Sequence, residues 1–353
     1  MIAYRFKNVC IESVAYHLPS EEVTSAAIED RLASLYQRLS IPMGTLEKLS
    51  GIKTRYLWDK KVLPSEVGTV AASRALENIG FGIEKIGALF SCSVTRDFFE
   101  PATAALIHRN LEIGEQTLCF DISNACIGFS NGLLTLGHLI ETGVVQAGVV
   151  VSGETVGRIV ENNIEALSKD ESITRDDLIQ LLPTLTLGSG AVAYVLCHES
   201  IATQKHRLLG GTLRSATQYN DLCSGNADHC IGDEASAAAL MKTESSKLIA
   251  AAGKLGGRLW PEASEIFKWS KDDVNHVICH QVGRQVNDAF YKEMGLDYKK
   301  EYTIYRKYGN MVSAALPTAL IMAVEENKIG KGDKIVCTAF GSGLNCIMLG
   351  IEW

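Results

Sequence analysis

The sequence predicts an α/β fold made of two similar halves, each of which alternates strands with helices. Short apolar segments of strand length recur between longer segments whose apolar residues have helical spacing. A faint internal repeat relates residues 142–151 to residues 327–336, and two similar glycine turns, 188–190 and 341–343, each precede an apolar strand. Two such halves predict two stacked layers of βαβ units, with equivalent loops meeting at one site.

The first half is expected to span residues 1–200. Residues 1–16 alternate apolar and polar side chains as a half-buried strand does, and Ser20 or Thr24 caps a helix that continues to Leu39. Fully apolar runs then predict buried strands, and apolar residues three and four apart predict helices. Helices are expected over 65–79, 101–110 and 127–142, the last ended by Gly143, and strands over 86–93, 117–122, 147–152 and 187–196.

The second half, residues 201–353, repeats this alternation. A charged segment at 162–179 precedes it and has no strong apolar stripe, so we predict a solvated surface helix, with an exposed insertion or lid as the alternative. Residues 219–232 are polar and predict an irregular loop. The remaining pattern predicts helices over 236–255, 283–294 and 315–327, and strands over 206–215, 274–278, 302–304, 334–339 and 345–352.

Composition bounds the class of protein. The chain has 353 residues, of which 46% are hydrophobic and 21% charged, as in a well-packed soluble protein. The net charge of −7, without a basic run, argues against a nucleic-acid partner. No segment is long and apolar enough to predict a membrane span, and no signal peptide pattern is present.

The ten cysteines are scattered without a repeated spacing, as in a reducing cytoplasm, where we expect this protein. Cys223, His229 and Cys230 lie close together, but a second pair of ligands with metal-site spacing is missing. We therefore predict a plain loop there, with no metal site and no cofactor.

Cys126 is a candidate nucleophile because it lies where the strand at 117–122 breaks into a helix. The positive end of the helix dipole and free backbone N–H groups favour the thiolate there. Most cysteines are small buried hydrophobic residues, so position alone does not establish a nucleophile. A base, or a group that polarises a carbonyl, has to come from elsewhere in the chain.

The second half supplies two further polar residues. The repeat places Cys126 opposite Met311, the neighbour of Asn310, across a pseudo-two-fold axis. His280 follows the strand at 274–278, at the end where ligand-binding loops gather. Cysteine, histidine and asparagine give a nucleophile and two neutral hydrogen-bond donors, which suit an enolate oxygen. A hydrolase would instead need an acid partner for the histidine.

These residues lie in motifs that resemble the thiolase superfamily, specifically its β-ketoacyl-ACP synthase III group. The motifs are Asn-Ala-Cys-x-Gly-Phe at 124–129, His-Gln at 280–281, Tyr-Gly-Asn-x-x-Ser-Ala-Ala-x-Pro at 308–317 and Phe-Gly-x-Gly at 340–343. The resemblance covers residues 11–353. It implies a homodimer with a five-layered α-β-α-β-α core and an acyltransferase of fatty acid or lipid metabolism that uses acyl-CoA or acyl carrier protein.

The resemblance also implies roles for the site residues. Cys126 takes an acyl group from a thioester, and a Claisen condensation with a second thioester follows. His280 and Asn310 bind the carbonyl of that second substrate, and the N–H groups of Cys126 and Ser342 form the oxyanion hole. The residues expected to bind substrate are Phe340, Gly341, Gly343 and Arg55, the last through a CoA or carrier phosphate.

Two features depart from the group's pattern. Thr45 and Leu49 replace a tryptophan and an arginine that clamp the CoA adenine, so a different or weaker CoA contact is expected. Glu100 replaces a phenylalanine that reaches into the partner subunit's pocket. A carboxylate in a dry pocket can have a raised pKa and remove an α-proton. The partner's Glu100 is therefore expected to be the base of a condensation without decarboxylation.

Residues 96–103 are similar to the thiolase-fold enzymes of bacterial head-to-head olefin synthesis, which join two fatty acyl-CoAs in this way. Three alternatives stay open. One is a decarboxylative synthase that uses malonyl-ACP, in which Glu100 is a surface carboxylate favoured by the following helix dipole. The others are acyl transfer to an alcohol or amine, and a non-catalytic partner subunit, against which the intact cysteine, histidine and asparagine argue.

Overall fold

Strands and helices alternate along most of the chain, as predicted. In the computed structural model, which describes residues 1–225 and 241–353, the strands are β1 (Ala3–Arg5), β2 (Val9–His17), β3 (Glu21–Thr24), β4 (Thr54–Leu57), β5 (Ile86–Ser91), β6 (Leu118–Asp121), β7 (Ala147–Glu154), β8 (Gly190–His198), β9 (His206–Ser215), β10 (Cys223–Ser224), β11 (Lys242–Thr243), β12 (His276–Cys279), β13 (Lys334–Gly341) and β14 (Asn345–Glu352). The helices are α1 (Ser25–Arg31), α2 (Ala33–Arg38), α3 (Thr45–Ser50), α4 (Pro64–Leu76), α5 (Thr103–Asn110), α6 (Gly128–Glu141), α7 (Gly157–Lys169), α8 (Arg175–Leu181), α9 (Ser245–Phe267), α10 (Arg284–Met294), α11 (Tyr305–Tyr308) and α12 (Ala315–Glu325).

Most of the strands form one mixed sheet with two similar halves. The first half has the order β6-β5-β7-β8-β2, and the second has the order β9-β14-β13-β12, with β1 added to β9. In each half a middle strand has one parallel and one antiparallel neighbour. The three strands are β5-β7-β8 in the first half and β12-β13-β14 in the second. Within the sheet, the two halves are joined where Cys10 and Ile11 of β2 pair with β9. The internal repeat thus corresponds to two sheet halves of the same topology.

Three apolar cores stack these halves into five layers. Helices α6 and α12 form the middle layer, because Leu136 and Ala319 share one core with Val150 of β7 and Ile347 of β14. Helices α4 and α5 cover the outer face of the first half, and α9 and α10 cover that of the second. The predicted five-layered α-β-α-β-α core is confirmed.

The start of α6 fixes the break that carries Cys126. Ala125 has a left-handed backbone, with φ of 47°, and the helix begins three residues later at Gly128. A Cβ at Gly128 would lie 2.6 Å from the carbonyl oxygen of Cys92, so only glycine lets α6 start this close to β5. Gly143, with φ of 76°, follows the end of the helix as predicted.

The segment at 162–179 differs from its prediction as a solvated surface helix. It forms parts of α7 and α8, which bury an apolar face against α1 and α2. The helix α7 begins at Gly157, five residues earlier than predicted. The first turn of its apolar stripe therefore lies before residue 162 and was not part of the charged segment. The buried apolar side chains of the two helices are those of Val160, Ile164, Leu167, Leu178 and Leu181.

Part of the second half lies outside the described residues. The start of the helix predicted at 236–255 and much of the loop predicted at 219–232 fall on residues 226–240. In the described part, the corresponding helix is α9, which begins at Ser245. No helix among residues 1–225 and 241–353 has the length and apolar character needed to cross a membrane.

Candidate active site

Cys126, His280 and Asn310 line one cavity of roughly 490 Å³, to which both halves of the fold contribute. Cys126 comes from the break between β6 and α6. His280 directly follows β12, and Asn310 lies in the turn after α11. The residues that were predicted to meet therefore line the same cavity, although they are far apart in sequence.

Cys126 is partly buried and carries a neutral thiol at rest. Burial, and after it the nearby Glu154 carboxylate, raise the pKa of Cys126 to about 12. Burial thus opposes the predicted preference for thiolate. In addition, α6 begins only at Gly128, so Cys126 precedes its first turn. The thiol has to lose its proton as it attacks a bound thioester.

His280 is held neutral by its surroundings. It is buried, and burial lowers its pKa to about 3. Its ring meets Phe340 edge to face, with centroids 5.0 Å apart. Its buried Nδ1 has no hydrogen-bond partner among the described residues. A neutral imidazole without a carboxylate partner suits hydrogen bonding to a substrate oxygen better than the charge relay of a hydrolase.

The turn that carries Asn310 is pinned to the first half. The Asn310 N–H donates to the carbonyl oxygen of Thr186 at 3.0 Å, and the Gly188 N–H donates to the carbonyl oxygen of Asn310 at 2.9 Å. The side-chain Oδ1 of Asn310 accepts from the N–H of Val312 at 3.0 Å. Because Oδ1 is used within the turn, the amide nitrogen is the end that can donate to a substrate in the cavity.

The glycine turn at the end of β13 packs against the nucleophile. A Cβ at Gly341 would lie 3.4 Å from the backbone nitrogen of Cys126. Phe340, Gly341 and Ser342 line the cavity together with Cys126, and the oxyanion hole from the N–H groups of Cys126 and Ser342 stays a prediction. Gly343 is not among the lining residues, and its φ of 132° marks a turn conformation that favours glycine. Its contribution is therefore to the shape of the turn.

A chain of asparagine side chains holds these two loops together. Asn345 donates to the side-chain oxygen of Asn124 at 3.1 Å, and Asn124 donates to that of Asn131 at 2.9 Å. Asn345 also contacts the carbonyl oxygen of Ser342 at 3.4 Å. The spacing of Cys126 and Ser342 is thus fixed by side-chain bonds that the motifs do not reveal.

Arg55 does not bind substrate in this arrangement, which corrects the prediction. Its side chain has no exposed surface, and it donates to Ser25 Oγ at 3.0 Å and to the carbonyl oxygen of Val23 at 3.3 Å. Burial lowers the pKa of Arg55 to about 10. An enclosed guanidinium cannot contact a CoA or carrier phosphate, so its role is to join β4 to β3 and α1.

Glu100 is exposed and does not line the cavity of its own chain. It precedes Pro101 at the entry to α5. Its neighbour Phe99 lines the cavity although it is 75% exposed. A role for Glu100 in the chemistry therefore needs a second subunit and stays a prediction.

Three cations that the sequence did not single out as site residues also line the cavity: Lys60, Arg96 and Arg158. Arg96 donates to Ser123 Oγ at 3.3 Å. Isolated basic residues between apolar elements show no sequence pattern that marks them as site residues. Of the three, only Arg96 could have been identified from the sequence, because it lies in the motif at 96–103. Thr45 and Leu49 do not line the cavity.

Cys223 lines the cavity as well, while the neighbours that would form a metal site with it, His229 and Cys230, lie outside the described residues. Among the described residues, no three His, Cys, Asp or Glu side chains gather as a metal site would require. The cysteines in this part of the chain are free thiols.

The chain matches two family models: 3-oxoacyl-[acyl-carrier-protein] synthase III over residues 120–217, and the C-terminal model of the same family over residues 265–353. It is 37% identical over 355 residues to an acyl-CoA:acyl-CoA alkyltransferase of Shewanella oneidensis, covering 99% of this chain and 100% of the relative. A protein of the same name from Xanthomonas campestris is 35% identical over 348 residues, covering 99% of each chain.

Solved structures show the same likeness. Xanthomonas campestris OleA with a cysteine replaced by serine, solved with bound lauric acid and lauroyl-CoA, has a TM-score of 0.91 and 35% identity, covering 99% of this chain and 100% of that one. The match extends over the whole fold, and the described cavity carries the predicted cysteine, histidine and asparagine. The chain belongs to the 3-oxoacyl-ACP synthase III family of the thiolase superfamily, and it is a condensing acyltransferase of that family.

Proposed function

We propose that this protein joins two fatty acyl-CoAs by a Claisen condensation without decarboxylation. The observation that carries the proposal is that Cys126, a neutral His280 and Asn310 line one cavity, while the chain also places a carboxylate, Glu100, at its surface beside that cavity's Phe99. The relatives named acyl-CoA:acyl-CoA alkyltransferase support the same reaction.

In the first step, Cys126 takes the acyl group of one acyl-CoA. The thiol sulfur attacks the thioester carbonyl, the N–H groups of Cys126 and Ser342 stabilise the oxyanion, and CoA leaves with the proton from the thiol. Because burial raises the pKa of Cys126, little thiolate is present before substrate binds. The proton passes from the thiol to the leaving CoA sulfur as the new carbon–sulfur bond forms.

In the second step, His280 and Asn310 bind the carbonyl oxygen of a second acyl-CoA. Glu100 of the partner subunit removes an α-proton, and the two donors stabilise the enolate that forms. The enolate carbon attacks the acyl carbonyl on Cys126, the carbon–sulfur bond breaks, and the thiolate recovers the proton from Glu100. The product is a 2-alkyl-3-ketoacyl-CoA, and water converts it to CoA and the 2-alkyl-3-ketoacid.

This mechanism needs a homodimer, which the exposed side of β6 supports. Among the described strands β6 pairs on one side only, with β5, and it exposes Leu118 and Phe120 by 44% and 42%. Phe98 and Phe99, just before Glu100, are exposed as well. An edge strand with exposed apolar side chains is suited to pair with a second copy. Such a dimer would place Glu100 next to the partner's cavity.

CoA is the proposed carrier, because Lys60, Arg96 and Arg158 line the cavity and suit its phosphates. Solved forms of Xanthomonas campestris OleA have a replaced glutamate that precedes the replaced cysteine by the same number of residues as Glu100 precedes Cys126. That spacing supports an equivalent role for Glu100. We also propose a cytoplasmic enzyme, since both substrates are CoA thioesters.

Product analysis tests the proposal. The purified protein is incubated with a long-chain acyl-CoA alone, and then with malonyl-ACP added. A 2-alkyl-3-ketoacid or its ketone from acyl-CoA alone, lost in Glu100→Ala, is the expected result. Product that requires malonyl-ACP would instead establish a decarboxylative synthase, and acyl esters or amides would establish transfer to oxygen or nitrogen. No acyl-enzyme and no product would indicate a non-catalytic subunit.

A further inference from the structure

Glu154 is a buried carboxylate at the end of β7 that joins two separate segments of the site. It has no exposed surface. From one side, it accepts hydrogen bonds from the N–H of Val94 at 2.8 Å, and from the N–H and the hydroxyl of Thr95 at 3.0 and 2.9 Å. From the other side, it accepts from the N–H of Ser313 at 3.4 Å and from the Ser313 hydroxyl.

The ionised form of Glu154 fits these contacts. Both carboxylate oxygens accept from backbone N–H groups, which stabilises the ionised form. Burial raises the pKa of Glu154, and the hydrogen bonds from Ser313, Val94 and Thr95 oppose that rise. Removing this carboxylate would leave several buried donors without a partner.

The first segment leads to the proposed base. Val94, Thr95 and Arg96 line the cavity, and Glu100 follows within five residues. Asp97 pins the middle of this segment, because it is fully buried and accepts from the N–H and hydroxyl of Ser65, the N–H at 2.9 Å. The direction in which the chain leaves the cavity toward Glu100 is therefore fixed at two points, Thr95 and Asp97.

The second segment carries Asn310. Val312 has a left-handed backbone, with φ of 53°, which a β-branched residue rarely adopts. Such a conformation persists only where the surrounding contacts hold it. One contact is the bond from the Val312 N–H to Asn310 Oδ1, and the next is Ser313, which is bonded to Glu154 and, hydroxyl to hydroxyl at 2.7 Å, to Ser152.

We infer that Glu154 is a positioning residue for the carbon–carbon bond-forming step, because it fixes the segment of Glu100 and the turn of Asn310 relative to each other. This inference rests on the proposed function, in which both residues act on the second acyl-CoA. The loading of Cys126 uses other groups, the N–H groups of Cys126 and Ser342, and the hydrogen bonds of Glu154 within the described residues do not reach them.

The two half-reactions should therefore respond differently to Glu154→Gln. The amide keeps the size of the side chain but turns one acceptor into a donor that faces N–H groups, so both segments lose their fixed positions. The carboxylate is also the second cause, after burial, of the raised pKa of Cys126. Its removal lowers the cost of forming the thiolate, so loading should not slow.

The test measures loading and condensation separately. Acylation of Cys126 is followed by intact-protein mass spectrometry after brief mixing with lauroyl-CoA, and condensation by the yield of 2-alkyl-3-ketoacid. In Glu154→Gln we expect loading within about twofold of wild type and condensation at least about tenfold slower, as small displacements of catalytic groups produce. Ser313→Ala, which removes one hydroxyl, should likewise slow condensation and leave loading unchanged. It replaces Glu154→Gln in the test if that variant does not fold.

Glu12 provides the matched control. It is a buried carboxylate with several donors, the N–H groups of Gly80, Thr203 and Gln204 among them, and it does not line the cavity. Glu12→Gln should leave the ratio of the two rates at its wild-type value. A parallel fall of both rates in Glu154→Gln, or an unchanged condensation rate, would overturn the positioning role. Absence of product from acyl-CoA alone in the wild type is a separate result, which overturns the proposed function.

Discussion

Gly341 packs directly against the nucleophile, since a Cβ at this position would lie 3.4 Å from the backbone nitrogen of Cys126 and 3.2 Å from the Asn124 carbonyl oxygen. Gly341→Ala should therefore shift the N–H groups that stabilise the oxyanion and slow the acylation of Cys126 by roughly tenfold to a hundredfold. Stopped-flow or quenched mass spectrometry measures this rate. Gly114→Ala, where a Cβ meets nothing within 4 Å, is the control and should load at the wild-type rate.

The raised pKa of Cys126 predicts how its reactivity depends on pH. Because the value of about 12 lies above the working range, the thiolate fraction should rise about tenfold for each pH unit between about pH 6 and pH 9. Alkylation by iodoacetamide, followed by mass spectrometry of the Cys126 peptide, should rise with the same slope. A plateau below about pH 8 would show that the helix dipole outweighs burial.

The architecture could be predicted from the sequence because the internal repeat indicates two structurally equivalent halves. Residues 142–151 and 327–336 both follow a middle-layer helix, α6 in one case and α12 in the other, so the repeat reflects a real structural equivalence. The cysteine, histidine and asparagine also meet where the repeat and strand ends place them. Their roles in turnover remain predictions.

Other features depend on contacts between distant segments and leave no local pattern. In the sequence, Arg55 is a basic residue near a turn, and only the packing of β4 against β3 shows that its side chain is buried. Glu154 reads as the last residue of a strand, and its partners come from residues 94–95 and 313. The burial of α7 could have been found from Val160, Ile164 and Leu167 if the helix had been started at Gly157.

The burial of Arg55 predicts a loss of stability without a loss of substrate binding. Arg55→Ala removes a fully buried side chain and its hydrogen bonds to Ser25 and Val23. The free energy of unfolding should therefore fall by about 2–4 kcal/mol. Chemical denaturation measures this change, and the KM for acyl-CoA should stay unchanged in the folded variant. A raised KM with unaltered stability would restore the phosphate-binding role.

The exposed side of β6 predicts the effect of a charge on assembly. Leu118→Lys places a cation on the unpaired edge of the strand, where it should block pairing with a second copy. We expect monomers by size-exclusion chromatography with light scattering, loading that persists, and condensation that is lost. Val144→Lys, at another exposed apolar position, should stay dimeric. A dimer that survives Leu118→Lys would place the interface elsewhere.

The central claim, that Cys126 of one subunit works with Glu100 of the other, is tested most directly by mixing two inactive variants. Cys126→Ser and Glu100→Gln are each purified, shown to be dimeric, and allowed to exchange subunits with acyl-CoA present. Each mixed dimer then contains one complete site, so product should return to about a quarter of the wild-type yield. If mixed dimers form, as shown by two different affinity tags, and no product returns, Glu100 does not act across the interface.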